Sequence, residues 1–137
     1  MKTTFSNEST RNRHFMEACR KVLSESAGLT AAMVAERAAA LPAPCYYITY
    51  GYALRRLRAL RKQGDPSAGN PKGARALWAE LHLRVDALSR RHGISDSEAL
   101  ARVLAEGRAS SFFLAPRSAL RLYQAIRFRH RLYRLRP

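Results

Sequence analysis

A basic stretch between Thr49 and Lys62, TYGYALRRLRALRK, has the residue types and spacing best suited to binding phosphate. Read as a helix, it places Arg55, Arg58 and Lys62 on one side, because residues three and four apart share a helix face. Its apolar side is formed by Tyr50, Ala53, Leu54, Leu57 and Leu60. No Asp or Glu occurs between Glu36 and Asp65. We therefore expect a basic surface here that no neighbouring acid in the sequence neutralises.

The charge of the whole chain favours a polyanionic partner. The 137 residues carry a net charge of +15, and the pI is about 11.2. Most of the excess is Arg, whose planar guanidinium binds phosphate and guanine through paired hydrogen bonds. After Glu106 there is no acidic residue, whereas that segment contains Arg108, Arg117, Arg121, Arg127, Arg129, Arg131, Arg134 and Arg136.

The histidines and cysteines do not predict catalysis or metal binding. His14, His82, His92 and His130 are scattered, and no H-E-x-x-H motif, Cys/His ligand spacing or Gly-rich phosphate loop occurs. The two cysteines are too few for a disulfide framework, and no C-x-x-C occurs. We expect a non-enzymatic protein without a cofactor or metal. With no signal peptide or membrane span in the sequence, we expect a cytoplasmic, nucleoid-associated location.

Hydrophobic periodicity predicts three helices in the first part of the chain. The first begins near Ser9 or Thr10 and ends near Ser26, before Gly28. Its predicted buried stripe is Phe15, Cys19, Val22 and Leu23. The second begins after the N-cap Thr30 and ends before Pro42, and the third begins after Thr49. Between them, the residues 45–48, Cys-Tyr-Tyr-Ile, favour an extended segment.

A similar order of elements follows a Gly- and Pro-rich linker at 63–74. A helix is predicted from Arg75 to the residue before Gly93, with a stripe that includes Trp78. The next is capped by Ser95 or Asp96 and ends before Gly107. The extended residues 111–114 come next, and Pro116 opens a helix to about Phe128.

These two parts read as an internal repeat. Residues 33–54 align with 99–120 at an offset of 66, and the first helices align at an offset of 63. The aromatic pairs Tyr46-Tyr47 and Phe112-Phe113 correspond, as do the segments 53–55 and 119–121, both Ala-Leu-Arg. Internal repeats determine architecture, so both halves should have one fold. Core packing between the halves is the favoured role for the aromatic pairs, and base stacking is the alternative.

The segment 29–35, LTAAMVA, resembles the first helix of helix-turn-helix DNA-binding domains, with the basic helix after it in the place of the recognition helix. The resemblance is generic and names no specific family. The connection at 41–48 is longer than the roughly 3–4 residues of that motif. The resemblance implies an all-α fold of two tandem three-helix modules, each with a short extended aromatic segment. We predict a first module at 1–62, a linker at 63–74, a second module at 75–128 and a basic C-terminal arm at 129–137.

The predicted function is non-catalytic nucleic-acid binding, most favourably to duplex DNA, by a transcriptional regulator or a nucleoid-type protein. If the resemblance holds, the contacts come from the two third helices and the arm. The predicted binding residues are Arg55, Arg56, Arg58, Arg61, Lys62, Arg117, Arg121, Gln124, Arg127, Arg129, Arg131 and Arg134. The repeat lets the chain act as a monomer with an internal pseudo-two-fold axis, or as a homodimer, without a membrane partner.

Three alternatives remain at this stage. The protein binds RNA or the ribosome through its tail, which alternates Arg with Phe128, Leu132 and Tyr133. Or it is an interaction module for an acidic protein. Or the arginines are solvated helix faces. For the tail itself, the alternatives to a basic arm are the end of the last helix packing on its neighbour and, ranked last, an amphipathic membrane-surface segment.

Overall fold

The computed structural model describes residues 2–63 and 72–135, with side chains described for 7–62 and 75–129. In these residues the chain forms six α-helices and no β-strand, which confirms the all-α prediction. They are α1 (Lys2–Glu25), α2 (Ala31–Ala40), α3 (Tyr50–Gln63), α4 (Lys72–His92), α5 (Asp96–Glu106) and α6 (Pro116–Leu135). Most of the linker predicted at 63–74 lies outside the described residues.

Several helix ends follow directly from the local sequence. The side chains of Thr30 and Ser95 accept hydrogen bonds from the backbone N–H groups of Met33 and Glu98, at 3.2 Å each. Thr49 caps α3 in the same way, and Pro116 is the first residue of α6. These groups satisfy N–H donors that have no partner within the helix.

The predicted starts of α1 and α4 and the predicted end of α6 need correction. The first helix begins at Lys2, because no Pro or Gly interrupts the chain before Gly28. The fourth begins at Lys72, three residues before the predicted Arg75. The last helix continues to Leu135, so the backbone of 129–135, predicted as an arm, is helical. The side chains from residue 130 onward, which would separate a binding arm from a helix end packed on its neighbour, lie outside the described residues.

The third helix of each half packs on the other half of the chain. The helix α6 lies on α2 and α1, whereas α3 lies on α5, which in turn packs on α4. The structure does not confirm the helix-turn-helix arrangement, in which the third helix would pack on the second helix of its own module. The fold instead consists of two groups of three helices, and each group contains one helix from the other half.

The chain crosses between the groups at a short antiparallel bridge. Ala43 pairs with Ala109, the corresponding residue of the other half, and its N–H donates to the Ala109 carbonyl at 3.0 Å. Four residues later each segment turns sharply, since Tyr47 and Phe113 have φ of 57° and 54°. The predicted extended segments are therefore wrong at these residues, because a left-handed residue redirects the backbone.

The aromatic pairs pack between the halves, as predicted. Tyr46 stacks on Phe113 with ring centroids 6.3 Å apart, and Tyr47 stacks on Phe112 at 6.1 Å. Phe15 of α1 meets Phe112 edge-on at 5.5 Å. The first member of each pair, Tyr46 or Phe112, is buried in the core, and the second is half-buried against it.

Burial corrects the sequence alignment in one place. In α2 the buried residues are Val34, Ala35, Ala38 and Ala39, and in α5 they include Ala99, Leu100 and Val103. These sets correspond at an offset of 65, as do the N-caps, so the predicted offset of 66 is wrong within the second helices. From the bridge onwards the offset is 66, because α5 is one residue longer than α2.

Candidate nucleic-acid interface

The outer face of α3 carries a row of exposed residues at helical spacing. They are Gly51, Arg55, Arg58 and Lys62, whereas Ala53 and Leu57 on the opposite face are buried. Buried apolar residues hold α3 against α5 and leave the three cations in solvent. The predicted apolar side is confirmed at Ala53 and Leu57, whereas Tyr50, predicted on the same side, is 41% exposed.

The outer face of α6 has an exposed row at the corresponding positions. It consists of Arg117, Arg121, Gln124 and Phe128, with Ala119 and Tyr123 buried behind it. Arg121 corresponds to Arg55, and Gln124 corresponds to Arg58. Together these two sets are called the α3 row and the α6 row. In the described side chains, no cation of either row lies in an ion pair with a carboxylate.

Two predicted binding residues on α3 instead contact the protein. Arg56 is half-buried, with its guanidinium 5.1 Å from the centre of the Trp78 ring. Its Nε is buried, and the described side chains give it no hydrogen-bond partner. Arg61 pairs with Asp96 at 2.7 Å and with Asp86 at 3.3 Å. These contacts fix α3 on α4 and α5, so both guanidiniums have structural partners.

The remaining predicted residues lie further along α6. Arg127 is exposed and has its guanidinium 5.4 Å from the centre of the Tyr123 ring. Arg129 is exposed as well. The side chains of Arg131 and Arg134 lie outside the described residues. A basic surface therefore extends from the α6 row toward the end of the helix.

A polar cluster lies beneath the crossing, away from both rows. The hydroxyl of Tyr46 donates to Glu80 at 2.6 Å and accepts from Arg84 at 2.6 Å. Glu80 also accepts from the backbone N–H of Ser110 at 3.1 Å and from its hydroxyl. Burial and the bond to Glu80 raise the pKa of Tyr46 to about 12. Burial opposes ionisation of Glu80, but the Ser110 and Tyr46 donors outweigh it and lower its pKa.

The other half lacks this polar cluster at the equivalent place. There Glu17 and Phe112 line an open cavity of about 310 Å³, with Pro44 in the position of Ser110. Nearby, His14 Nδ1 and the Tyr47 hydroxyl lie 2.6 Å apart. In the described residues no three His, Cys, Asp or Glu side chains converge as a metal site. The hydrogen bonds of the polar cluster all connect parts of the protein, which gives it a structural role.

A groove between α1 and α6 contains Arg20, which the sequence reasoning missed, beside the predicted Arg127. It measures about 250 Å³, and Arg20, Leu23 and Arg127 lie along it. Leu23, predicted to be buried, is 49% exposed. Between α4 and α3 a similar groove is lined by Trp78 and His82. The two grooves differ in charge. Arg20 and Leu23 of α1 correspond to Leu83 and Asp86 of α4, so a position-by-position comparison of the two helices could have identified Arg20.

Comparisons with protein-family models, with curated proteins and with solved structures give no match to this chain. Along the described helices, every segment of membrane-spanning length is too polar to cross a bilayer.

Proposed function

We propose that the protein binds nucleic acid, with duplex DNA preferred, through the α3 row and the α6 row. One observation carries the proposal: two exposed rows lie at corresponding positions on two helices, and their cations have no carboxylate partners in the described side chains. The α3 row contributes Arg55, Arg58 and Lys62, and the α6 row contributes Arg117 and Arg121. Exposed arginines that fold stability does not use are available to phosphates. The net charge of +15 would speed the approach to any polyanion.

The mechanism is neutralisation of backbone phosphates by guanidinium groups, with release of the counterions condensed on the nucleic acid. Each row lies on a rigid helix whose opposite face is buried, so its cations are held at helical spacing. The crossing joins the two helices through the core. Both rows would therefore bind as parts of one body.

Salt-dependent binding tests the proposal. Binding of the purified protein to a duplex DNA and to a structured RNA of equal length would be followed by fluorescence anisotropy across a salt titration. With about five to eight phosphates neutralised, log K against log[salt] for DNA should have a slope of about −4.5 to −7. The double variant Arg55→Ala/Arg121→Ala should reduce the magnitude of this slope by about 1.8, since each lost phosphate contact removes about 0.9.

The chain offers a matched control for the loss of charge. Arg37 on α2 and Arg102 on α5 are exposed and correspond to each other in the two halves. The variant Arg37→Ala/Arg102→Ala has the same net charge as the test variant but keeps both rows. It should retain most of the wild-type slope. Equal losses from both variants, or no binding to either nucleic acid, would contradict the proposal.

RNA is the second candidate, and the exposed Phe128 favours it. This side chain is 64% exposed and lies in the α6 row at the position of Lys62. An exposed aromatic ring among arginines can stack on an unpaired base. If RNA is the target, Phe128→Ala should weaken RNA binding about fivefold or more and leave duplex DNA binding almost unchanged.

A further inference from the structure

The two halves differ in the carboxylate partners of one arginine near the end of the third helix. In the second group of helices, Arg61 of α3 is held by Asp86 of α4 and Asp96 of α5, at 3.3 and 2.7 Å. Its side chain is 36% exposed. Two carboxylates therefore neutralise this guanidinium and fix its position between the helices.

In the first group of helices, the positions of both carboxylate partners hold uncharged residues. Arg127 of α6 corresponds to Arg61 at the offset of 66. Leu23 of α1 takes the place of Asp86, and Ala31, the first residue of α2, takes the place of Asp96, the first residue of α5. In the described side chains, Arg127 contacts the ring of Tyr123 and no carboxylate.

A second cation lies where the other half has an apolar residue. Arg20 lines the groove between α1 and α6 together with Arg127, and its counterpart in α4 is Leu83. The other residues along the groove are mostly apolar, and no carboxylate lines it. Both arginines are exposed, and neither pairs with a carboxylate in the described side chains. Their guanidiniums are therefore free to donate charge-assisted hydrogen bonds to an anion.

We propose that Arg20 and Arg127 form a phosphate subsite for the backbone of the bound nucleic acid, and that this subsite exists only on the α1–α6 side. The inference rests on the proposed function. On the α3–α4 side, Asp86 and Asp96 already pair with Arg61, the counterpart of Arg127, so that guanidinium is not available to a phosphate. One half of the protein therefore extends its contact with the nucleic acid beyond the α6 row, onto the first helix, and the other half does not.

Restoring the missing carboxylate tests the subsite. In Leu23→Asp, the new side chain takes the place of Asp86 and is expected to pair with Arg127, as Asp86 pairs with Arg61. Leu23 is 49% exposed, so the change leaves the core intact. Duplex affinity should fall about tenfold, and the magnitude of the salt slope should fall by about 0.9, the value for one lost phosphate contact. The melting temperature should be unchanged or higher.

Leu83→Asp is the matched control. It makes the same change of residue and charge at an exposed site of α4, where Leu83 is 69% exposed and the structure offers no subsite. It should weaken binding by no more than about twofold, the effect of added charge alone. Equal weakening by both variants would show a bulk charge effect and overturn the inference.

Inorganic phosphate distinguishes a nucleic-acid subsite from a site for a free anion. The Nε–H signals of Arg20 and Arg127 should shift together in NMR spectra on titration with phosphate, and Leu23→Asp should abolish that shift. A phosphate response without any effect of Leu23→Asp on duplex binding would overturn the subsite and leave the proposed function standing. A wild-type protein that binds neither DNA nor RNA would instead overturn the proposed function.

Discussion

At the scale of single residues, the chain places similar carboxylates in two different environments. Glu80 receives donors from Tyr46 and Ser110 and lies beside Arg84. At the matching place, Glu17 faces Phe112, which has no hydroxyl, and Pro44, which has neither a hydroxyl nor an N–H. Two substitutions between the halves thus remove the three donors that surround Glu80.

We predict that Glu80 contributes stability that is lost in acid. Its pKa is lowered in the folded state, so its contribution is present above the unfolded pKa, near 4.5, and is lost as the pH falls further. Glu80→Gln should reduce the free energy of unfolding by about 1–2 kcal/mol at pH 7. The difference from wild type should shrink between about pH 5 and pH 3. Denaturant unfolding at several pH values measures it, with Glu17→Gln as the control.

Glu17→Gln should cost less stability at pH 7 than Glu80→Gln, because neither Phe112 nor Pro44 can donate a hydrogen bond to the Glu17 carboxylate. A constant difference between wild type and Glu80→Gln from pH 7 to pH 3 would contradict the assignment. It would mean that the glutamine loses packing or geometry rather than a charge-dependent hydrogen bond.

At the scale of elements, local chemistry determined what could be predicted. The caps at Thr30, Thr49 and Ser95 and the proline at Pro116 were all readable, because each acts within one turn of helix. The helix on which α3 packs could not be predicted from the sequence. Its buried face, Ala53 and Leu57, matches that of α6, so the spacing fits the second helix of either half equally well.

The candidate site was predictable to a similar extent. Periodicity identified the exposed cations Arg55, Arg58 and Lys62 because exposure follows from helical spacing. It could not separate them from Arg61, whose aspartate partners are distant in sequence and come near only through the packing of α3 on the other half. The left-handed Tyr47 and Phe113 were also beyond prediction, since bulky residues rarely adopt that conformation.

The end of α5 yields a prediction about the crossing. Gly107 follows the helix with φ of 72° and ψ of −139°, and a Cβ there would collide with the carbonyl oxygen of Pro44. Gly107→Ala should therefore cost at least about 3 kcal/mol, from backbone strain together with displacement of the segment at Pro44. Gly28→Ala is the control, because Gly28 has the same φ of 72° with open space around it. It should cost only about 1 kcal/mol.

Thermal and denaturant unfolding of the two variants would measure this difference. Equal losses in the free energy of unfolding would mean that backbone strain alone explains the cost of alanine at both positions. The close approach of α5 to the Pro44 segment would then contribute nothing to holding the halves together.

At the scale of the whole molecule, the exchange of third helices makes each half depend on the other. The buried face of α2 is covered by α6, and α5 is covered by α3. The aromatic stacks, such as Tyr46 on Phe113, also join residues from opposite halves. A half of this size has little core of its own, because the fraction of surface buried falls with chain length.

We therefore predict that the chain survives cleavage between its halves as a tight complex. The test uses a variant with a protease site inserted between Gln63 and Lys72 and cleaved at that site. The pieces should co-elute in size-exclusion chromatography and retain the helical circular dichroism of the intact protein, because the contacts of α6 with α2 and of α3 with α5 do not need the connection. After cleavage, the melting temperature should rise with protein concentration, since unfolding now releases two molecules.

A matched cut tests whether this behaviour comes from the exchange. Cleavage at a site inserted after Gly93 divides α4 from α5 within one group of helices, and separates segments that also contact each other. If packing in the core alone holds the pieces together, both cut proteins should stay associated. Only the cut between the halves leaves each piece with three complete helices, one of which has its partner in the other piece.

If those pieces separate and each unfolds cooperatively by itself, the halves are independent modules and the exchange contributes little to stability. If separated pieces are unfolded and regain helicity only on mixing, the exchanged helices are what makes the two halves one domain.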